Sequence, residues 1–283
     1  MNEKNINCIV IGSGIGGMSS AAVLAKAGKK VMLLEQHYIL GGYTHTFKRR
    51  KYEWDVGLHY IGEVHKENSF IRKAFDYISN GQLQWTALDN VYDRAVFGQE
   101  EFEFVKGREA QIENLKKYFP EDKDHIAIDR YFELLLEVSR LGNAYYIEKV
   151  LPPIFSKVFG PMMQRKLLHY ANQTTLDVLK NISDNTKLIG VLTAQYGDYG
   201  MTPSKSSFYM HAMVANHYMD GAGYPVGGAA AIAENIIPVI EENGGVVITN
   251  AKVEQIIIKK ELAVGVLLEN GDMIGAVSGG CVE

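Results

Sequence analysis

Three glycines and one acid carry the chemistry most readily read from this chain. Gly12, Gly14 and Gly17 stand at GxGxxG spacing, with Ser13 and Gly16 between them. Glu35 follows about 20 residues on. The first glycine permits a tight turn, the second lets the backbone approach a pyrophosphate, and the third lets a helix pack on a strand. A carboxylate at Glu35 accepts hydrogen bonds from a ribose diol and repels a 2′-phosphate. FAD or NAD is therefore expected here rather than NADP, with Glu35 and the neighbouring Gln36 at the ribose.

Such a site needs particular elements around it. Ile9-Val10-Ile11 is a β-branched run suited to a strand buried on both faces. A helix over residues 16–27 then aims its free N–H groups and the positive end of its dipole at the phosphates. Gly28 stops that helix, and Val31 to Leu34 form a second strand that delivers Glu35. A lone GxGxxG is weak, but strand, helix, second strand and acid together are specific for a dinucleotide.

Other chemistries find little support. No Gly-x-Ser-x-Gly elbow and no zinc pattern is present. His211 and His217 do not share a helix face, as metal ligands at i, i+4 would, and read as packing or pocket residues. Cys8 and Cys281 cannot make a disulfide framework, and Cys8 reads as a small buried residue of the first strand. The net charge of −4 argues against nucleic acid. Lys48-Arg49-Arg50-Lys51, the one basic cluster, reads as a solvated turn between two strands. No N-terminal signal and no transmembrane segment is read, so the expected location is cytoplasmic or peripheral to a membrane.

At 283 residues and 47% hydrophobic the chain can bury a sizeable core. Three blocks are expected. Residues 1–62 start the nucleotide fold, and include a strand pair on either side of the basic turn. Residues 63–222 form a mainly helical block, with strands between Leu83 and Val105, helices over 108–119 and 124–141, and a helix over 204–219. In it Ile128, Phe132, Leu135 and Val138 recur on one face, Gly160-Pro161 breaks an apolar segment, and Thr174 to Asp177 marks a helix start. Residues 223–283 return with a helix over 229–242, a strand over 246–249 and an antiparallel meander turned at Asn270-Gly271. The fold class is thus α/β, a Rossmann-type FAD/NAD(P)-binding domain interrupted by a mainly helical substrate domain.

Four segments, LEQHYILGGYTHTF, YEWDVGLHYIG, YGMTPSKSSFYMHAMVANHYMDGAGYPVGG and IPVIEENGGVVITNAKVEQI, resemble the retinol saturase branch of the flavin-dependent phytoene desaturase and carotenoid isomerase superfamily. The resemblance runs from about Asn7 to Ala276. It implies that Gly12, Gly14 and Gly17 hold an FAD pyrophosphate and that Glu35 binds the adenosine ribose. It also implies that Gly41 and Gly42 pass close to the dinucleotide, that Gly57 to Tyr60 approach the isoalloxazine, and that Val253 offers a backbone contact to adenine. His59 or Tyr60 would then orient a polyene or relay a proton. The implied activity is that of an FAD-dependent oxidoreductase acting on CH–CH groups, saturating one bond of a retinoid-like polyene, with NAD as possible cofactor or electron donor. The rival readings are a carotenoid cis–trans isomerase, a phytoene desaturase-type enzyme, and an inactive truncated remnant.

The implied partners are a lipophilic small molecule, a membrane touched peripherally at Leu151 to Met163, and a separate chain supplying a C-terminal block. The middle block's apolar residues would suit a hydrocarbon tunnel or an ordinary helical core. Members of this superfamily continue past the point where this sequence stops. The six residues after Val277 are expected to be too few to cross back beside the first strand and also build a flavin-contacting loop. Weak FAD binding by residues 1–283 alone is the corresponding expectation.

Overall fold

In the computed structural model, which describes residues 6–150, 153–276 and 280–282, the chain forms two compact units. One joins Met1–Ala87 to Gly223–Glu283, and the other is Leu88–Ala222. The first pass through unit 1 runs β1 (Cys8–Ile11), α1 (Ile15–Lys26), β2 (Val31–Leu34), β3 (Thr46–Arg49), β4 (Tyr52–Asp55), β5 (Ile61–Gly62), α2 (Phe70–Ile78) and β6 (Trp85–Ala87). Unit 2 holds β7 (Val91–Phe97), β8 (Glu100–Val105), α3 (Arg108–Tyr118), α4 (Asp122–Val150), α5 (Pro153–Ala171), α6 (Thr175–Lys180), α7 (Thr186–Leu192) and α8 (Phe208–Tyr218). The return comprises β9 (Ala222–Pro225), α9 (Ala231–Glu242), β10 (Val246–Ile248), β11 (Val253–Lys259), β12 (Leu262–Leu268), β13 (Met273–Gly275) and β14 (Gly280–Val282).

The central sheet of unit 1 is four-stranded and parallel, in the order β10-β2-β1-β14. Alternation along β1 and β2 explains why both strands are apolar throughout. Val10, Val31 and Leu33 join Met18, Ala21 and Ala22 of α1 and Ile232 and Ile236 of α9 in one core. Ile9, Met32 and Leu34 face the other way, into a core with Val266, Leu268 and Ile274 of the β11-β12-β13 meander. Gly17 permits the helix side of this packing. A Cβ there would lie 1.9 Å from the Gly12 carbonyl oxygen.

Several expectations are corrected. The helical unit begins at Leu88, not at residue 63, because β6 pairs antiparallel with β9 while Phe75, Ile78 and Leu83 pack in the α1–α9 core. The chain also crosses back within its last residues, since β14 pairs in parallel with β1 (Cys8 with Gly280, Val10 with Val282). α5 passes through Pro161 instead of breaking there. Helix α8 starts at Phe208, with Ser207 as its N-cap, and α9 starts at Ala231. Cys8 is half-buried.

Unit 2 packs around one core. Ile128, Phe132, Leu135 and Val138 of α4 meet Phe102 and Phe104 of β8, Leu188 of α7 and Phe208 of α8. Thr174 caps α6 reciprocally, accepting from the Asp177 N–H and donating to its carboxylate. His211 is buried in this core and bonded to the Tyr131 hydroxyl at 2.9 Å and the Tyr199 hydroxyl at 3.1 Å. Burial holds its pKa down to about 4, so it is a neutral packing residue at pH 7. The apolar-lined cavity bounded by Tyr92, Tyr131, Phe132 and Met219 offers about 20 Å³, room for one water rather than a polyene. The tunnel reading has no support there. Of the apolar segment Leu151 to Met163, the first two residues lie outside the described ones and the rest belong to α5. Among the described residues no helix is long and apolar enough to cross a membrane.

Candidate functional site

The glycine motif forms a strand–turn–helix corner at the end of β1. Gly12 takes a φ of +90°, and Gly14 is the N-cap of α1 without any side-chain cap, leaving the first-turn N–H groups to an outside partner. A Cβ added at Gly12, Gly14 or Gly16 would meet nothing within 4 Å. That open space above an uncapped helix N-terminus fits a pyrophosphate.

Glu35 is bonded to the same corner. Its Oε2 accepts from the Ser13 N–H at 2.7 Å and the Ser13 hydroxyl at 2.6 Å, and its Oε1 accepts from the His37 N–H at 2.8 Å. Ser13 and Glu35 are both buried. Burial alone would raise the Glu35 pKa. The bonds from Ser13 and His37, with the charge of the His37 ring, outweigh it and hold the carboxyl below its ordinary value. A carboxylate offers about four acceptor sites, so three internal bonds leave room for roughly one hydroxyl of a ribose. Glu35 is therefore also a brace for the phosphate loop.

Gly41 and Gly42 complete that brace. The Gly41 N–H donates to the Ser13 hydroxyl at 3.1 Å, and the Thr44 hydroxyl donates to the Gly41 carbonyl at 2.8 Å. Gly41 and Gly42 have φ of +111° and +54°, and a Cβ on Gly42 would stand 2.9 Å from the Gly14 Cα. The doublet thus lies against the phosphate loop. A cleft of about 240 Å³ opens beside it, lined by Glu35, Gln36, His37, Gly42, Tyr43 and Val56 among others. Val253 begins β11 just beyond the segment that binds the Glu35 backbone, where Ile248 accepts from Glu35 N–H and the Ala251 N–H donates to Glu35.

Gly57 packs on Tyr43, which is 79% exposed, and donates its N–H to the Tyr43 carbonyl at 3.2 Å. The GLHYIG segment therefore leaves from the rim of this cleft, with His59 exposed and Tyr60 half-buried. The sequence reading missed one contact. The Tyr224 hydroxyl donates to Asp55 at 2.5 Å, and the Ala229 N–H donates to the other Asp55 oxygen at 3.4 Å. Burial and the Asp55 carboxylate push Tyr224 up to about 12. The clamp ties β4 to the Gly227-Gly228 turn before α9. Both residues sit inside segments quoted above, YEWDVGLHYIG and GAGYPVGG, which was the available signal.

Known proteins are similar to this chain along most of its length. Residues 10–78 match the NAD(P)-binding Rossmann-like domain model. The all-trans-retinol 13,14-reductase of Danio rerio is 40% identical over 93% of this chain and 45% of its own length. The human protein of the same name is 38% identical over 95% and 45%. The likeness to these reductases runs along nearly the whole of this chain. It spans about 45% of the length of those relatives. More distantly, prolycopene isomerase 1 of an Oncidium hybrid cultivar is 26% identical over 95% of this chain and 46% of its own length. An oxidoreductase from Methanosarcina mazei shares the fold at a TM-score of 0.64 and 18% identity, over 95% of this chain and 57% of its own. Putrescine oxidase bound to putrescine does so at 0.62 and 14%, over 96% and 56%.

Proposed function

We propose that this chain provides the ADP-binding part of an FAD site in an oxidoreductase that saturates one double bond of a conjugated polyene of the retinoid or carotenoid class. The observation that carries the reading is Glu35. A buried carboxylate closes β2, is bonded to the phosphate loop through Ser13, and lines a cleft beside the Gly41-Gly42 doublet. Likeness to the all-trans-retinol 13,14-reductases supports the substrate class.

In this reading Gly12, Ser13, Gly14, Gly16 and Gly17 present backbone N–H groups to the pyrophosphate. Glu35 and Gln36 meet the ribose, Gly41 and Gly42 the dinucleotide's other edge, and Val253 the adenine. FAD supplies hydride chemistry when bound. In the same reading His59 and Tyr60, which follow Gly57 in sequence, orient substrate or pass a proton, and no metal is invoked. The substrate is lipophilic, and a membrane surface and a second chain carrying the remaining length of the relatives are the partners this reading implies.

Product mass tests it. The full-length protein, supplied with reductant and each polyene in turn, should yield a product two hydrogens heavier. An unchanged mass with altered geometry would establish the isomerase reading instead, which the prolycopene isomerase likeness favours. Loss of two hydrogens would mean desaturation.

A further inference from the structure

The geometry points to a phosphate-ester site in the helical unit, where Arg108, Arg140, Arg165 and Lys166 converge from three helices on two adjoining clefts. The clefts measure about 760 and 440 Å³ and share Glu137 and Lys166. The larger adds Arg165 and Tyr170, and the smaller adds Arg108, Glu133 and Arg140. Both exceed the roughly 300 Å³ at which small-molecule sites begin.

Charge is the deciding feature. None of the four cations forms an ion pair with a described residue, although the chain as a whole is acidic, with a net charge of −4. Two carboxylates, Glu133 and Glu137, line the clefts against these four cations, so the positive charge is in excess. Glu133 pairs with Arg130 at 3.0 Å. Glu137 accepts from the Tyr170 hydroxyl, a bond that helps burial push Tyr170 up. Arg108 also opens α3, whose N-cap Gly107 provides no side-chain bond. Unpaired like charges held together need a counter-charge, and arginine forks match phosphate oxygens two at a time. The ligand class is a phosphate ester, free in solution or on a lipid headgroup.

The test uses 1H–15N spectra of residues 1–283 titrated with inorganic phosphate and pyrophosphate, alongside flotation with phosphatidate and phosphatidylcholine vesicles. Saturable shifts are expected at Arg108 to Ala110 and at Arg165 and Lys166. The double variant Arg140→Gln, Lys166→Gln should weaken binding about tenfold or more through lost charge-assisted bonds. Its melting temperature should be unchanged, because both side chains are exposed. Binding of the soluble anions alone identifies a soluble ester, and flotation with phosphatidate that the double variant abolishes identifies a lipid headgroup. Shifts confined to residues 12–17, binding that survives the double substitution, or no binding of either probe would overturn the proposal.

Discussion

The Ser13–Glu35 pair is expected to show strong coupling in a double-mutant cycle. The Ser13 hydroxyl donates to Glu35 at 2.6 Å, and both residues are below a tenth exposed. A buried hydrogen bond to a charged group contributes about 1.5–3 kcal/mol. Ser13→Ala removes this bond and the acceptor for the Gly41 N–H, a neutral bond worth about 0.5–1.5 kcal/mol. Glu35→Ala removes the same bond and also strands the buried Ser13 N–H, at roughly 1–3 kcal/mol for a buried donor left unsatisfied, while water can take over the N–H of the exposed His37. Glu35→Ala should therefore be the more damaging, and the pair should fall short of additivity by about 1.5–3 kcal/mol. Urea unfolding followed by tryptophan fluorescence reads the right unit, since Trp54 and Trp85, the two tryptophans, both lie in unit 1. Additivity within about 0.5 kcal/mol, at constant m-value, would refute the bracing role of Glu35.

Gly17→Ala should abolish the α1–β1 contact and prevent folding of unit 1, read as loss of its cooperative transition, because its Cβ would sit 1.9 Å from the Gly12 carbonyl. Gly42→Ala, with φ +54° and a Cβ 2.9 Å from Gly14, should weaken dinucleotide affinity more than stability. Gly28→Ala, strained only by its φ of +79°, should cost about 1 kcal/mol. His211 is 6.5 unperturbed and about 4 when folded. The unfolded chain takes up a proton that the folded unit refuses, so stability present above pH 6.5 should be lost toward pH 4 by about 3 kcal/mol. Circular dichroism should find that slope missing in His211→Gln. Glu35 is shifted below 4.5, so its contribution is present above that pH and is lost as pH falls through the folded value. Tryptophan fluorescence at low pH should show Glu35→Gln lacking that loss.

The strand–glycine–helix start was legible because its determinants are local: apolar runs, glycines at fixed spacing and an acid at the end of β2. The meander was legible for the same reason, through alternation and Asn270-Gly271. What escaped depends on distant pairing. Residues 63–87 belong with unit 1 because β6 finds β9 across the whole helical excursion and Phe75, Ile78 and Leu83 pack in the α1–α9 core. Three residues suffice for β14, too short a run to register in composition. The reading named both Ser13 and Glu35 as site residues but not the bond between them, since a carboxylate's type shows that it accepts hydrogen bonds without showing from where. Asp55 and Tyr224 were visible only as members of quoted segments, and no local pattern joins them.

The most direct test of the central claim is the cofactor that the full-length protein carries. It should purify yellow, and the released nucleotide should have the mass of FAD, in amounts that fall in Glu35→Ala. Protein that is colourless and retains only a nicotinamide nucleotide, or one bearing a 2′-phosphate, would contradict the flavoprotein account.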